Sequence, residues 1–171
     1  TLPDSIFALG VTKPTTTRSI TVNNTFQVGD STALSFNGGY TGNTKHNQGV
    51  SAFVMPDRAY TNDGNSWNLE FRQFTSISPR TLAETRFKVT GSHDETIPQS
   101  QAVQINVLDA FSSGGAQNAL ENKGRTYEIS ALVSKLGERV TLKAGYYGVH
   151  RTNASVSESN FGGRSEEHTS E

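Results

Sequence analysis

Over residues 139–153 the chain alternates with a period of two: Val140, Leu142, Ala144 and Tyr146 share one parity, while Arg139, Thr141, Lys143 and Arg151 share the other. Side chains of a strand point alternately to opposite faces, whereas a helix of 3.6 residues per turn would scatter both sets around its circumference. The segment therefore predicts a strand with one apolar face and one wet face. The same division recurs upstream. In residues 126–136, Tyr127, Ile129, Ala131 and Val133 oppose Glu128 and Ser130. In residues 81–91, Ala83, Phe87 and Val89 oppose Glu84, Arg86 and Lys88, and in residues 67–77, Trp67, Leu69 and Phe71 oppose Glu70 and Arg72. Nearer the start, Ile20, Val22, Phe26 and Val28 oppose Thr21, Asn23, Thr25 and Gln27.

These segments pair into hairpins. Residues 18–28 and 33–42 reverse at Gly29-Asp30-Ser31, where Gly and Asp accept the backbone angles of a tight turn. Residues 67–77 and 81–91 reverse at Ser78-Pro79-Arg80, because Pro79 fixes its own φ and has no N–H for a ladder. Residues 126–136 and 139–153 form the third pair, around Leu136-Gly137-Glu138. Residues 43–66 and 92–125 separate the pairs and exceed the ~12–15 residues that an unstructured loop usually reaches. The expected fold is all-β, an antiparallel up-and-down meander of about six strands in three hairpins with long loops at one end only. Short turns at one end and long loops at the other are the pattern of a transmembrane β-barrel, here a partial one.

Composition narrows the function. Lys and Arg total 15 against 16 Asp and Glu, so no basic field invites nucleic acid. There is no cysteine, which excludes disulfides and thiolate metal sites. Only 33% of residues are apolar, and no run approaches the ~20 residues of a membrane helix. A spanning strand needs only ~9–11 residues with one greasy face, so a membrane remains open.

Lumen-facing polar positions are expected at Glu70, Arg72, Glu84, Arg86, Lys88, Glu128, Arg139, Thr141 and Lys143. Lipid-facing positions are expected at Trp67, Leu69, Phe71, Phe87, Val89, Ile129, Val133, Val140, Leu142 and Tyr146. Tyr40, Trp67, Tyr127, Tyr146 and Tyr147 are candidates for an aromatic girdle at the membrane surface. Charges on the wet faces suit a lumen wall laced by ion pairs, each worth roughly 0.2–1 kcal/mol across strands. His46, His93, His150 and His168 lack metal-site spacing, and Gly114-Gly115 neither follows a strand nor opens a helix as a phosphate cradle would. No nucleophile stands with a base, so no enzyme and no cofactor is expected.

Four stretches carry a resemblance: SAFVMPDRAYT from Ser51, SISPRTLAETRF from Ser76, INVLDAFSSGGA from Ile105 and ERVTLKAGYYGVHRTNASVSESNFGG from Glu138. Spread over the later two-thirds of the chain, they resemble TonB-dependent outer-membrane receptors, particularly the large ones whose plug follows a carboxypeptidase-regulatory-like domain. The resemblance implies a mid-barrel piece of a plugged barrel of about 22 strands. It implies lipid around the barrel, a plug and TonB as partners of the full-length parent, and an unidentified solute. The implied location is the outer membrane of a Gram-negative bacterium, with the loops around Met55 and Phe111 outside. No signal peptide, plug or TonB-contacting segment is present, so the piece itself is not expected to transport.

Residues 164–171, RSEEHTSE, read as the in-frame translation of a common short-read sequencing adapter. The expected division is a barrel fragment over residues 1–163 and a foreign, disordered tail that pairs with no strand. Two other readings compete with the receptor. One is a soluble or surface-displayed β-sheet binding module of adhesin type, and the other is a passive porin. The module would bury its apolar face under a second sheet, while a barrel turns it to lipid.

Overall fold

The computed structural model describes residues 10–108, 110–160 and 162–167. Its strands are β1 (Thr15–Val28), β2 (Thr32–Gln48), β3 (Tyr60–Ser78), β4 (Thr81–Pro98), β5 (Gln104–Val107), β6 (Phe111–Ser113), β7 (Asn118–Leu136), β8 (Thr141–Ser159) and β9 (Arg164–Glu167). A single 3-10 turn covers Pro56–Arg58. Six strands form one antiparallel meander in the order β1-β2-β3-β4-β7-β8, and β6-β5-β9 forms a small separate sheet. The protein is all-β.

The three expected hairpins are present. Gly29 takes a φ of 64° in the first turn, a conformation open to residues without a Cβ. Pro79 and Arg80 alone separate β3 from β4, and the ladder slips by one residue between Ser76 and Ser78 to meet them. The third turn spans residues 137–140 and is closed by Gly137 N–H donating to the Val140 carbonyl at 2.9 Å. Arg139 and Val140 therefore lie in this turn, ahead of β8, and not on the two strand faces expected of them.

The long loops are shorter than expected. β2 runs on to Gln48, β3 begins at Tyr60, β4 continues to Pro98 and β7 begins at Asn118, so the connections shrink to residues 49–59 and 99–117. These extensions carry Asn62, Asp63, Asn65, Asp94, Glu95, Asn122 and Lys123 on both faces. Where both faces are wet no apolar alternation exists to be read, and the backbone ladder alone holds the strands.

The tail also departs from expectation. Instead of pairing with no strand, Arg164–Glu167 runs parallel to β5, from Gln104↔Arg164 to Val107↔Glu167. Gly163, at a φ of 83°, turns the chain there, and its carbonyl accepts from Gln104 N–H at 3.1 Å. Ladder bonds join main-chain groups, so an open strand edge accepts an extended segment whatever its side chains. Residues 168–171 lie outside the described residues.

Continuous register sorts the side chains. Phe36, Phe71, Phe87 and Ile129 occupy one rung across β2, β3, β4 and β7. Leu69, Val89 and Tyr127 follow two residues toward the loops, and Phe26, Leu34 and Tyr146 lie on a rung toward the turns. Among the described residues this face has no second layer: each strand of the meander packs on its ladder neighbours, and Phe26, Phe36, Leu69, Phe71, Phe87 and Ile129 are all exposed. Among the described residues the buried apolar side chains are Val50 and Ala59, both in the 49–59 connection. Among the described residues β1 and β8 each keep one unpaired edge.

A bare apolar face with two open edges predicts association in water. Without lipid or detergent, the chain should sediment as aggregates while keeping a strand-type circular dichroism spectrum. A monomer with a sharp thermal transition would contradict this.

Candidate functional site

The wet face carries a charge cluster at its centre. Two neighbouring rungs read Asn37–Glu70–Lys88–Glu128 and Ser35–Arg72–Arg86–Ser130 across β2, β3, β4 and β7. Arg72 and Arg86 are direct cross-strand partners, an arrangement that repels unless an anion intervenes. Glu70 supplies it. Arg86 Nε donates to Glu70 Oε2 at 2.8 Å, and Arg72 Nε lies 2.7 Å from Oε1 as an ion pair without an aligned hydrogen bond. Asn37 Nδ2 reaches the same Oε1 at 3.5 Å, and Arg86 Nη2 stands 3.9 Å from Glu128 Oε2. The side chains around it leave Glu70 only 8% exposed on an otherwise open sheet.

Of the expected lumen-facing residues, the structure joins Glu70, Arg72, Arg86 and Glu128 in this network, with Lys88 on the same rung as Glu70. Glu84 and Lys143 share the face but stand nearer the turns, opposite Phe74 and Ser134, and Thr141 faces Leu136 on the last rung. The expected lipid-facing residues Trp67, Leu69, Phe71, Phe87, Val89, Ile129, Val133, Leu142 and Tyr146 all take the opposite face by register. Leu142 is placed at its turn end, opposite Lys135.

The aromatic candidates divide. Tyr40 and Trp67 are cross-strand partners at the loop end of the apolar face, and Tyr127 is one rung inside them. The Trp67 indole lies over Gly91 so closely that a Cβ there would collide with it. An aromatic ring over a cross-strand glycine covers backbone that the glycine leaves bare. Tyr147 does not share their face, since it pairs with Ser130 on the wet face.

Beyond the aromatic rung the same face turns polar, which the alternation did not reveal. Arg125 shares the rung of Trp67 and Gly91, and Asn65, His93 and Lys123 share the next. Asp63, Glu95 and Glu121 follow. Glu121 Oε1 lies 2.5 Å from Lys123 Nζ and 3.0 Å from His93 Nε2. The hydrogen bond and charge of Lys123, and after them those of His93, lower the Glu121 carboxyl from its ordinary value. A groove of about 460 Å³ opens beside these residues, lined by Trp67, His93, Lys123, Arg125 and Thr152 among others.

The loops form a cap that sequence reasoning missed. Asp57 Oδ2 accepts from Ser113 Oγ and from Gly114 N–H, both at 2.7 Å, tying the 49–59 connection to the 99–117 connection. Met55 N–H donates to the Ser112 carbonyl, and Ser112 N–H to that of Phe53, each at 2.9 Å. Gln117 is 3% exposed and spans Ala102 and Gly162 with both ends of its amide. Against the expectation that the pair follows no strand, Gly114 comes directly after β6, and no helix opens behind it; a Cβ on either glycine would strike the carbonyl oxygens of Ser100, Ala102 or Val103. Among the described residues no three His, Asp or Glu side chains gather as metal ligands.

No protein-family model matches the chain, and a search of curated proteins finds no match.

The network predicts an asymmetry on mutation. Glu70→Ala leaves two facing guanidiniums without their shared anion and should cost roughly 1–3 kcal/mol in urea unfolding of the micelle-bound chain. Adding Arg86→Ala should recover part of that loss, while Lys143→Ala, which breaks no ion pair among the described residues, should change little. Equal losses for Glu70→Ala and Lys143→Ala would contradict the assignment.

Proposed function

We propose that the chain is a stretch of the wall of an outer-membrane β-barrel, of the TonB-dependent receptor kind that its four quoted segments resemble. Its apolar face meets lipid, its wet face lines the lumen around a plug, and the parent protein imports a solute with energy delivered through TonB. The observation that carries the barrel reading is the six-stranded sheet whose apolar face has no layer packed on it among the described residues. A soluble sandwich would cover that face with a second sheet. The small sheet β6-β5-β9 is built from the 99–117 connection and the tail, and it does not cover that face among the described residues.

On β3 this face carries Trp67, Leu69, Phe71 and Ile77 with Gln73 and Thr75 between them, and Trp67 to Ile77 spans about 33 Å of strand at ~3.3 Å per residue, or roughly 23 Å of membrane at a 45° tilt. In lipid every backbone group needs a partner, so the free edges of β1 and β8 would be closed by further strands of the parent. The wet face suits a lumen, with the charges around Glu70 neutralised within it. The choice of an energised receptor over a passive porin rests on the sequence resemblance. The surface-displayed module remains the reading that the next experiments would favour if lipid plays no part.

Trp67 is the only tryptophan and therefore a clean reporter. In vesicles of brominated phosphatidylcholine its fluorescence should be quenched, more by bromines near the headgroups than by those at the chain ends. Absence of quenching with either lipid would point to the surface module.

Depth gives a second test. Ile129→Arg, on the central apolar rung, should cost roughly 2–4 kcal/mol on refolding into lipid, whereas Leu142→Arg, at the turn end, should cost about 0–1 kcal/mol. Ser130→Arg, on the lumen face, should cost little. Equal costs at positions 129 and 130 would remove the assignment of the two faces.

A further inference from the structure

Resting on the barrel reading, we propose that in a membrane the chain by itself closes with copies of itself: the open edge of β1 pairs with the open edge of β8 of a second copy, and whole copies join head to tail into a ring. In hydrocarbon the unpaired N–H and C=O groups along both edges have no water to bond, so each edge needs a strand. Edge strands usually carry prolines or bulges that keep other strands away. Neither β1 nor β8 contains a proline, and their ladders with β2 and β7 run without a break. Arg18 is the one charged residue of β1.

The two edges suit each other in direction. The meander has six strands, an even number, so β1 runs from the loop end to the turn end while β8 runs back. Side by side, β1 of one copy and β8 of the next are antiparallel, with the 49–59 and 99–117 connections of both copies at the same end. A β1–β1 contact would instead leave both β8 edges open and turn the loops of one copy to the opposite side of the membrane. A head-to-tail contact uses every edge once the ring is complete.

Register fixes the seam further. Rungs run across the sheet from Thr15 to Ser157 and from Val28 to Ala144, so Val22 is level with His150. Strands of a closed barrel are tilted, so β1 of the second copy must be displaced along β8 from that level. The displacement is even, because an odd one would bring the apolar face of one copy round to the wet face of the next. At ~3.3 Å per residue and ~4.8 Å between strands, a displacement of about six residues per copy gives a tilt of about 35° and one of about eight gives about 43°, within the ~35–45° of membrane barrels. Displacements of about four and about ten residues would give about 25° and about 49°, outside it. Val22 of one copy is therefore opposite Ala144 or Val156 of the second, or opposite Leu142 or Glu158. The fixed hand of strand twist selects one side of His150. About eight to eleven residues of the two strands remain paired, close to the ~9–11 that cross a membrane.

The chain has no cysteine, so introduced pairs report on the seam alone. Val22→Cys is combined in turn with Leu142→Cys, Ala144→Cys, Val156→Cys, Glu158→Cys, His150→Cys or Tyr147→Cys, and each protein is refolded into phosphatidylcholine vesicles and oxidised with copper phenanthroline. Disulfide-linked multiples should form at least tenfold faster with the Leu142 or Ala144 variant, or else with the Val156 or Glu158 variant, than with the His150 or Tyr147 variant. Val22→Cys alone should link as slowly as those controls. Ultracentrifugation of the unaltered chain in density-matched micelles should give one species of two or more whole chains. A monomer there would overturn the ring, as would equal rates in all six pairs, fastest linking at His150→Cys or Tyr147→Cys, or equally fast linking by Val22→Cys alone. If any of these occurs while brominated phosphatidylcholine still quenches Trp67, the ring falls and the barrel reading stands. If Trp67 is not quenched in any vesicle, both fall.

Discussion

Everything in this molecule depends on the unbroken antiparallel register of β2, β3, β4 and β7. Side-chain direction in a strand has a period of two, so a slip of one residue between neighbours would carry a whole strand's apolar set to the wet side. The ladders from Lys45↔Asn62 through Thr32↔Thr75, and from Thr96↔Leu120 through Thr81↔Lys135, run without a break. The one irregularity in the β3–β4 pair is next to Pro79, where the chain is about to reverse and no long row of partners remains to be displaced. Register is what makes a one-layer sheet two-sided.

Two-sidedness then dictates which polar groups are tolerable. Glu70 is the clearest case, a carboxylate almost withdrawn from solvent although no second layer among the described residues covers the sheet. It is shielded by the side chains it pairs with, and it removes the repulsion that the register imposes between Arg72 and Arg86. Neither arginine position is comfortable alone. Their placement on adjacent strands is acceptable because an acid sits one rung away within reach of both.

What the sequence disclosed follows the same logic. Alternation of Leu69 with Glu70, of Phe87 with Arg86 and of Ile129 with Glu128 exposed both faces, and the turns at Gly29 and Pro79 fixed which segments pair. It was silent wherever burial does not differ between faces. Residues 60–66 and 118–124 are strand with water on both sides, so their pairing leaves no trace in hydrophobicity. Asp57 finding Ser113 and Gly114, or Gln117 finding Ala102 and Gly162, depends on chain crossings many residues apart, and no local pattern marks them. The tail misled for a related reason: its polar side chains argue against a core, but Arg164–Glu167 joins β5 through main-chain bonds that side-chain polarity does not govern.

The strands that outrun the apolar zone also account for where recognition chemistry can collect. Within the zone the outward face must stay apolar if it meets hydrocarbon, and the inward face is occupied by mutual neutralisation around Glu70. From the Trp67 rung on, the ladder still holds side chains at fixed spacing while charges appear on the apolar side, Arg125 on that rung and His93 and Lys123 on the next. Gly91 gives its space to the Trp67 ring at this level, while Gly124 has the opposite parity, where a Cβ would meet Ser92 and Asn153. A rigid sheet continuing past the Trp67 rung therefore holds charged groups at a set height above an aromatic floor, which a flexible loop starting at residue 43 could not do.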